Sequence, residues 1–307
     1  MTRSKRRGLV TVGGGGDGES VCYLCLDGGA DEPLRRDCAC RGSDAGFVHL
    51  SCLTKYAASK SKQANGMNEF IEPWRVCPGC HQKYQSELRI DIASKFVSFV
   101  RRQYPHHDER KQLESLHLKL CALYSMFKRL QPVQKREIGV TANVLLSLID
   151  RMRHDASPLP KRYSQMEADT YHTHGQVALE EGTEESARRA VAHFENQLEM
   201  NEAIGHDQAI ATAKANIAYA RSKYDSGNND EELMKASREL YELRIAELGE
   251  EHEDTIRAGR NYAINQHKAN RGDEARELLT KLFATSKRVL GPHHISTKEV
   301  TSALERL

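Results

Sequence analysis

The sequence predicts a mostly α-helical chain in which a small cysteine-rich module leads into a superhelix of stacked helical hairpins. Three observations carry this expectation. Seven of the eight cysteines fall between Cys22 and Cys80. Beyond Cys80, apolar residues recur at helical spacing. Near the carboxyl end, the segment Leu248-Gly249-Glu250-Glu251-His252-Glu253-Asp254-Thr255 returns 42 residues later as Leu290-Gly291-Pro292-His293-His294-Ile295-Ser296-Thr297, and a fainter copy begins at Ile204-Gly205-His206.

Composition narrows the function classes. A chain of 307 residues, 39% apolar and 29% charged, has room for two domains or an elongated array. Apolar runs such as Phe96 to Val100 fall far short of the ~20 residues a membrane-spanning helix needs. The start, MTRSKRRGLV, has basic residues without the apolar core of a secretory signal, so cytosol or nucleus is the expected compartment. In that reducing setting, clustered cysteines point to metal before disulfides. A net charge of +2 gives no argument for a nucleic-acid partner; Arg3, Lys5, Arg6 and Arg7 are the only one-signed cluster and read as a solvated tail. Gly13, Gly15 and Gly18 have the spacing of a dinucleotide fingerprint, but Cys22 follows too soon for the helix such a loop must open. Residues 1–18 therefore read as a disordered basic and Gly-rich tail.

The module itself carries four donor pairs: Cys22-x2-Cys25, Cys38-x-Cys40, His49-x2-Cys52 and Cys77-x2-Cys80. Two donors two residues apart can grip one ion from a tight turn, and a structural zinc takes four sulfur or nitrogen donors, so eight donors predict two zinc ions. Plant-homeodomain fingers share this donor order. They place an aromatic two positions before the seventh ligand, however, whereas Trp74 precedes Cys77 by three, and their third and fourth ligands are further apart than Cys38 and Cys40. The close Cys-x-Cys pair, Gly42-Ser43, and Phe47-Val48-His49-x-x-Cys52-Leu53 instead resemble the RING-CH variant of the RING finger over residues 19–85. That resemblance implies a cross-brace, with Cys22, Cys25, His49 and Cys52 on one ion and Cys38, Cys40, Cys77 and Cys80 on the other.

The resemblance also implies a function. RING-type fingers act as ubiquitin ligases without forming a covalent intermediate, holding a ubiquitin-conjugating enzyme in a shallow groove while ubiquitin passes to a substrate lysine. The family's groove positions fall here on Leu24, Tyr56 and Pro78, with tyrosine where tryptophan is commoner. Local packing is the competing account of each. After the last ligand, where many active relatives carry a basic residue that touches ubiquitin, this chain has His81. Relatives commonly carry membrane spans behind the finger. This chain carries helices.

Ala93, Phe96, Val97 and Val100 repeat as one apolar stripe, and Leu113, Leu116, Leu120, Leu123, Phe127 and Leu130 as a second, within a helical connecting region over residues 86–165. Cys121, beside the second stripe and with no cationic pattern around it, reads as a small buried core thiol. From residue 166 to 307 the Leu-Gly segments divide the chain into pairs of helices: Ala209 to Tyr224 with Glu231 to Leu248, and Asp254 to Ala269 with Asp273 to Leu290. Asp254 or Thr255 is placed to cap the helix that follows. These units resemble the tetratricopeptide-type hairpins of kinesin light chains, which implies a concave protein-docking face. Asn216 and Asn261 recur at matching first-helix positions, and Arg257, Arg260 and Lys268 would favour an acidic segment; the alternative is that the asparagines only link neighbouring helices.

The sequence thus leads to a soluble RING-CH-type ubiquitin ligase, its partners a ubiquitin-conjugating enzyme, ubiquitin, and a protein or peptide substrate held by the repeats. A non-catalytic adaptor with the same two binding modules is the alternative, and a chromatin-reading finger on a scaffold is the third reading.

Overall fold

The computed structural model describes residues 20–38, 40, 46–104, 108–155, 159–224 and 229–307. The basic tail, the glycines at 13, 15 and 18, Gly42-Ser43, Pro105, Ser157-Pro158 and Ser226-Gly227-Asn228 lie outside the described residues. The chain divides into two compact units, Met1–Gln103 and Tyr104–Leu307.

In the first unit a two-residue strand, β1 (Leu34–Arg35), pairs antiparallel with β2 (Val48–His49), setting Leu34 opposite His49 and Arg35 opposite Val48. Helix α1 (Leu50–Lys62) begins directly after His49. It is followed by α2 (Met67–Ile71), a 3-10 turn over Glu72–Trp74, and α3 (Ser86–Gln103). All four members of the first apolar stripe on α3, Ala93, Phe96, Val97 and Val100, are buried. Against that stripe lies Trp74, whose ring stacks on Phe96 at 5.0 Å and meets Phe99 at 5.2 Å. A buried indole needs a partner for its N–H. Here Trp74 donates to the Ser61 hydroxyl at 2.7 Å, which donates in turn to the Phe70 carbonyl at 2.7 Å. This short relay ties α1, α2 and the 3-10 turn into one core with no orphaned polar group along it.

The second unit runs through α4 (Glu109–Ser125), α5 (Pro132–Asp155), α6 (Lys161–Glu180), α7 (Glu184–Ile204), α8 (Asp207–Arg221), α9 (Asn229–Leu248), α10 (Glu253–Lys268), α11 (Gly272–Val289) and α12 (Ile295–Leu304). Each helix packs on its successor, the pattern of a solenoid in which every unit buries its apolar face on its neighbours. The second apolar stripe does not form one uninterrupted helix. It runs along α4 to Leu123, and Phe127 and Leu130 stay buried from a separate 3-10 turn, Phe127–Arg129. The break falls at Met126, whose backbone leaves the helical region at φ −109° and ψ 7°, and Pro132 then suits the first position of α5.

Gly205, Gly249 and Gly291 take left-handed φ values of 72°, 83° and 91°. Glycine accepts this conformation without a Cβ clash, which is why it recurs where one helix stops and the chain turns into the next. The cap that follows differs from the expected one. His252, not Asp254 or Thr255, is the N-cap of α10, its Nδ1 accepting from the Asp254 N–H at 3.2 Å. His294 does the same for α12, accepting from the Ser296 N–H at 3.3 Å. Thr255 is fully buried and donates to the Arg244 carbonyl, so its hydroxyl pins α10 to α9.

Cys121 also departs from expectation. It is half-buried, and its sulfur lies 3.6 Å from Nε2 of His117, one helical turn earlier. Burial alone would discharge His117, but hydrogen bonds to Asp169 and Cys121 hold its pKa up at about 10.

Close packing of consecutive helices makes some glycines irreplaceable for steric reasons. A Cβ on Gly175 of α6 would fall 2.4 Å from the ring of Phe194 on α7, whereas one on Gly139 of α5 would meet nothing within 4 Å. Gly175→Ala should therefore cost about 1–3 kcal/mol through overpacking. Gly139→Ala should add about 0.4–1 kcal/mol by restricting the unfolded chain. Denaturant midpoints of the two variants check this pair, and shifts in the same direction would contradict the packing described.

Candidate functional site

The donor pairs are brought together by local backbone geometry. In the first knuckle the Leu26 N–H donates to the Cys22 carbonyl at 2.8 Å, and the Cys22 N–H donates to the Asp27 carbonyl at 2.9 Å. The second knuckle repeats this bonding: His81 N–H to Cys77 carbonyl and Cys77 N–H to Gln82 carbonyl, both at 2.9 Å. Both close on a left-handed residue immediately after the second cysteine, Leu26 at φ 66° and His81 at φ 56°. The third pair is set by a strand-to-helix junction. His49 ends β2 and Cys52 lies in the first turn of α1, so a spacing of three places both donors on one side.

Two clusters result, Cys22 with Cys25, His49 and Cys52, and Cys38 with Cys40, Cys77 and Cys80, the ligand atoms in each lying within 4.8 Å of one another. The ligands interleave along the chain as a cross-brace. Zinc with Zn–S of about 2.3 Å and Zn–N of about 2.0 Å sets tetrahedral edges of about 3.8 Å between sulfurs and about 3.5 Å between sulfur and nitrogen. Cys40 and Cys77 sulfurs are 3.7 Å apart, and His49 Nδ1 lies 3.3 Å from Cys25 and 3.8 Å from Cys52. No cysteine is in a disulfide.

His49 is oriented from its far side. Its Nε2–H donates to the Gly28 carbonyl at 2.8 Å, which leaves Nδ1 as the lone-pair nitrogen facing the three sulfurs. Burial would raise the Cys22 thiol, but N–H groups of His49, Cys25 and Leu24 bring it down to about 7. In the other cluster, burial first and the crowded neighbouring sulfurs next push Cys40 well above the ordinary thiol range. Four sulfurs, or three beside an imidazole, cannot all ionise this close together without a cation between them, so the chemistry of both donor sets fits zinc. The role is structural, since four protein donors leave no open coordination position. Gly46 is part of the second site. At φ 84°, a Cβ there would sit 2.8 Å from the Cys40 Cβ and 3.1 Å from the Cys38 sulfur.

Tyr56, Pro78 and His81 line one concavity of about 390 Å³ between α1, the 3-10 turn and the second knuckle. Glu72, Pro73 and Val76 complete the wall nearest Pro78. Leu24 is not among its lining residues and stands on the first knuckle, 36% exposed. Sequence reasoning passed over two neighbours of Leu24, Val21 and Leu26, which are 37% and 73% exposed. Among the described residues, three of the ten exposed large apolar side chains thus surround one zinc ligand pair.

The repeat candidates have different surroundings. Asn216 is half-buried on α8, its amide near His172 Nδ1 and its oxygen accepting from Gln176, both on α6 at 3.4 Å. His172 also contacts the Tyr124 hydroxyl at 3.4 Å, and burial lowers its pKa. Asn261 is exposed on α10 and accepts from Arg260, which also pairs with Glu299. Arg257 pairs with Asp254 at 3.5 Å, and Lys268 is exposed at the end of the same helix. Tyr124 and His172 were not singled out from sequence. The signal for His172 was present, because it precedes Asn216 by 44 positions, the spacing of Gly205 and Gly249.

Residues 22–81 match the model of the RING-variant domain. No curated protein matches the chain. Two crystal structures of a Podosopora anserina kinesin light chain protein with nearly identical TPR-like repeats are similar to it at 13% identity and a TM-score of 0.46, covering 78% of this chain and 95% of theirs. The chain joins a finger that matches the RING-variant domain and carries two zinc-binding clusters to an array of helical hairpins, and among the described residues no helix is long and apolar enough to cross a membrane.

Metal analysis of the purified chain should return two zinc ions per molecule. Cys38→Ser should reduce that to one or fewer, and Gly46→Ala should hasten loss of zinc to a chelator by crowding the Cys38 and Cys40 site. A well-folded preparation with a zinc content near zero would contradict the metal assignment.

Proposed function

We propose that the chain is a RING-CH-type ubiquitin ligase that acts by placement. The finger would hold a ubiquitin-conjugating enzyme, and the helical array would hold the protein to be modified. In such a reaction the substrate lysine amine attacks the carbonyl of the enzyme-bound ubiquitin thioester, an isopeptide bond forms, and the conjugating enzyme's cysteine leaves as thiolate. The finger takes no covalent part. Its contribution is proximity and orientation, which can turn an encounter between two proteins into an effectively unimolecular step.

The observation that carries this reading is the exposure of apolar groups at the zinc knuckles while both ligand clusters stay assembled. Leu24 is held outward on the first knuckle, and Tyr56 and Pro78 line the concavity beside the second. Zinc knuckles fix such groups without a large core beneath them, which suits a rigid contact surface. On the array, exposed Asn261 with Arg257, Arg260 and Lys268 on α10 is the stronger candidate for an acidic segment, while the bonds of Asn216 favour its role as a link between α6 and α8. One observation favours the adaptor reading. His81, with a short ring in place of a long cationic side chain, stands exposed where many active relatives carry a basic residue.

The test is ubiquitin transfer with a panel of purified conjugating enzymes. Leu24→Ala should weaken the productive contact by about 1–3 kcal/mol with zinc content unchanged. Asn261→Ala combined with Arg257→Ala should reduce substrate modification while autoubiquitination persists. Absence of transfer with every enzyme, from a chain holding two zinc ions, would favour the adaptor.

A further inference from the structure

Helix α5 carries two apolar faces where its packing uses one. Ile138, Ala142, Leu145 and Ile149 are buried and form the face that packs on the neighbouring helices α4 and α6. On the other side Val133, Val140 and Val144 are 66%, 64% and 44% exposed, three of the ten large apolar side chains left exposed among the described residues. Steps of seven and four put them in one line along the helix. Exposed helix positions suit alanine and straight-chain residues, because a β-branched side chain loses χ1 freedom against the preceding turn. Three valines in line there serve neither the core nor the helix.

The flanks of this line indicate what covers it. One flank, with Thr141 and Leu148, is buried in the core, so a second helix has access only over the other. That open flank carries Arg136, Asn143 and Asp150 at steps of seven, all exposed. Arg136 has no ion-pair partner among the described residues, and Asp150 has only the exposed His154 at 4.0 Å. Glu137 and Ser147 continue the valine line, and Glu137 is already paired with Lys119 of α4. A parallel copy of α5 laid on the line would set the open flank against the buried one. An antiparallel copy sets the open flank against itself. With Val140 over Val144 of the second copy, heptad geometry brings Arg136 opposite Asp150 and Asn143 opposite its own counterpart. A residue on a two-fold axis meets itself, and a charge there would repel its copy. At that point stands an uncharged amide, which can both donate and accept. We infer that the valine face of α5 is a docking surface for a second copy of this chain, packed antiparallel about a two-fold axis near Asn143, with Arg136 of each copy paired to Asp150 of the other. The inference does not depend on the ligase reading.

A face one helix wide buries less than about 1,200 Å² in total, the range of weak and reversible contacts. Sedimentation equilibrium of the zinc-loaded full chain from about 1 to 100 µM therefore reads the association directly. The chain should be a reversible dimer toward the upper end. Val140→Glu combined with Val144→Glu should leave it monomeric throughout, with zinc content unchanged and an unchanged melting temperature at the lowest concentration. Arg136→Glu alone, or Asp150→Arg alone, should weaken the dimer about 10-fold by setting like charges together at two symmetric places. The two combined should restore it to within about 3-fold of the original, a rescue specific to this antiparallel register. Adding salt should weaken the original dimer. A chain that stays monomeric at the highest concentration would overturn the inference. So would a dimer that survives both glutamates, or charge reversals that do not rescue each other. A fall in melting temperature of the double valine variant at the lowest concentration would also overturn it, since the face would then be covered within a single chain.

Discussion

The finger depends on two metal ions that do the work of a core it is too small to build. Eight donors from four separate places along the chain converge on two points, and because the ligand sets interleave, neither knuckle can move without the other. Apparent binding free energies of about 10–16 kcal/mol for structural zinc exceed what a domain of this size gains from packing alone. The apolar contribution is concentrated on the far side, where Trp74, Phe96 and Phe99 pack beneath α1. A rigid frame built this way can leave apolar residues on its surface, because their burial is not required for folding. Leu24 and Leu26 are exposed for that reason, and contact with a partner is the use to which such a surface is suited.

Different physics holds the helical array. Its helices gain most of their stability from the neighbours on which their apolar faces pack. The recurring Leu-Gly element is the hinge of this scheme. Left-handed glycines at 205, 249 and 291 end one helix, and the histidine caps at 252 and 294 start the next within a few residues. Contacts are therefore local along the chain, and a surface can be assembled from successive helices without any one of them carrying the fold. The bridge from Tyr124 through His172 to Asn216 shows the same economy, since polar groups of α4, α6 and α8 satisfy one another.

Much of this was legible in the residues themselves. Donor spacing identified the eight ligands and the two ions, because a metal's demand for four donors in reach leaves a mark in sequence that packing seldom does, while the division of the ligands between the ions came from the family resemblance. The apolar stripe on α3 and the left-handed glycines were legible for a related reason: helical periodicity and positive φ each restrict residue type strongly. Where the reading fell short, several residue types could meet the need. A helix cap can come from Asp, Thr or Ser, and here it comes from His252 one position before the helix, a choice fixed by where the turn after Gly249 ends. His117 lies one turn from Cys121 in the sequence, but Asp169, which holds it charged, comes from α6 and no local pattern points to it. The left-handed closure of the two knuckles was invisible, because it falls on Leu26 and His81, residue types that seldom adopt it. Sequence shows the residue without the angle.

The central claim is that zinc folds the finger while the array stands on its own packing. Hydrogen exchange of the full chain, followed before and after removal of metal by a chelator at neutral pH, tests it most directly. The account predicts that amides from Cys22 to Cys80 lose protection on chelation and regain it when zinc is restored, while the helices from Glu109 to Leu304 keep theirs throughout. Unchanged protection between Cys22 and Cys80 in a chain shown to be free of metal would contradict it.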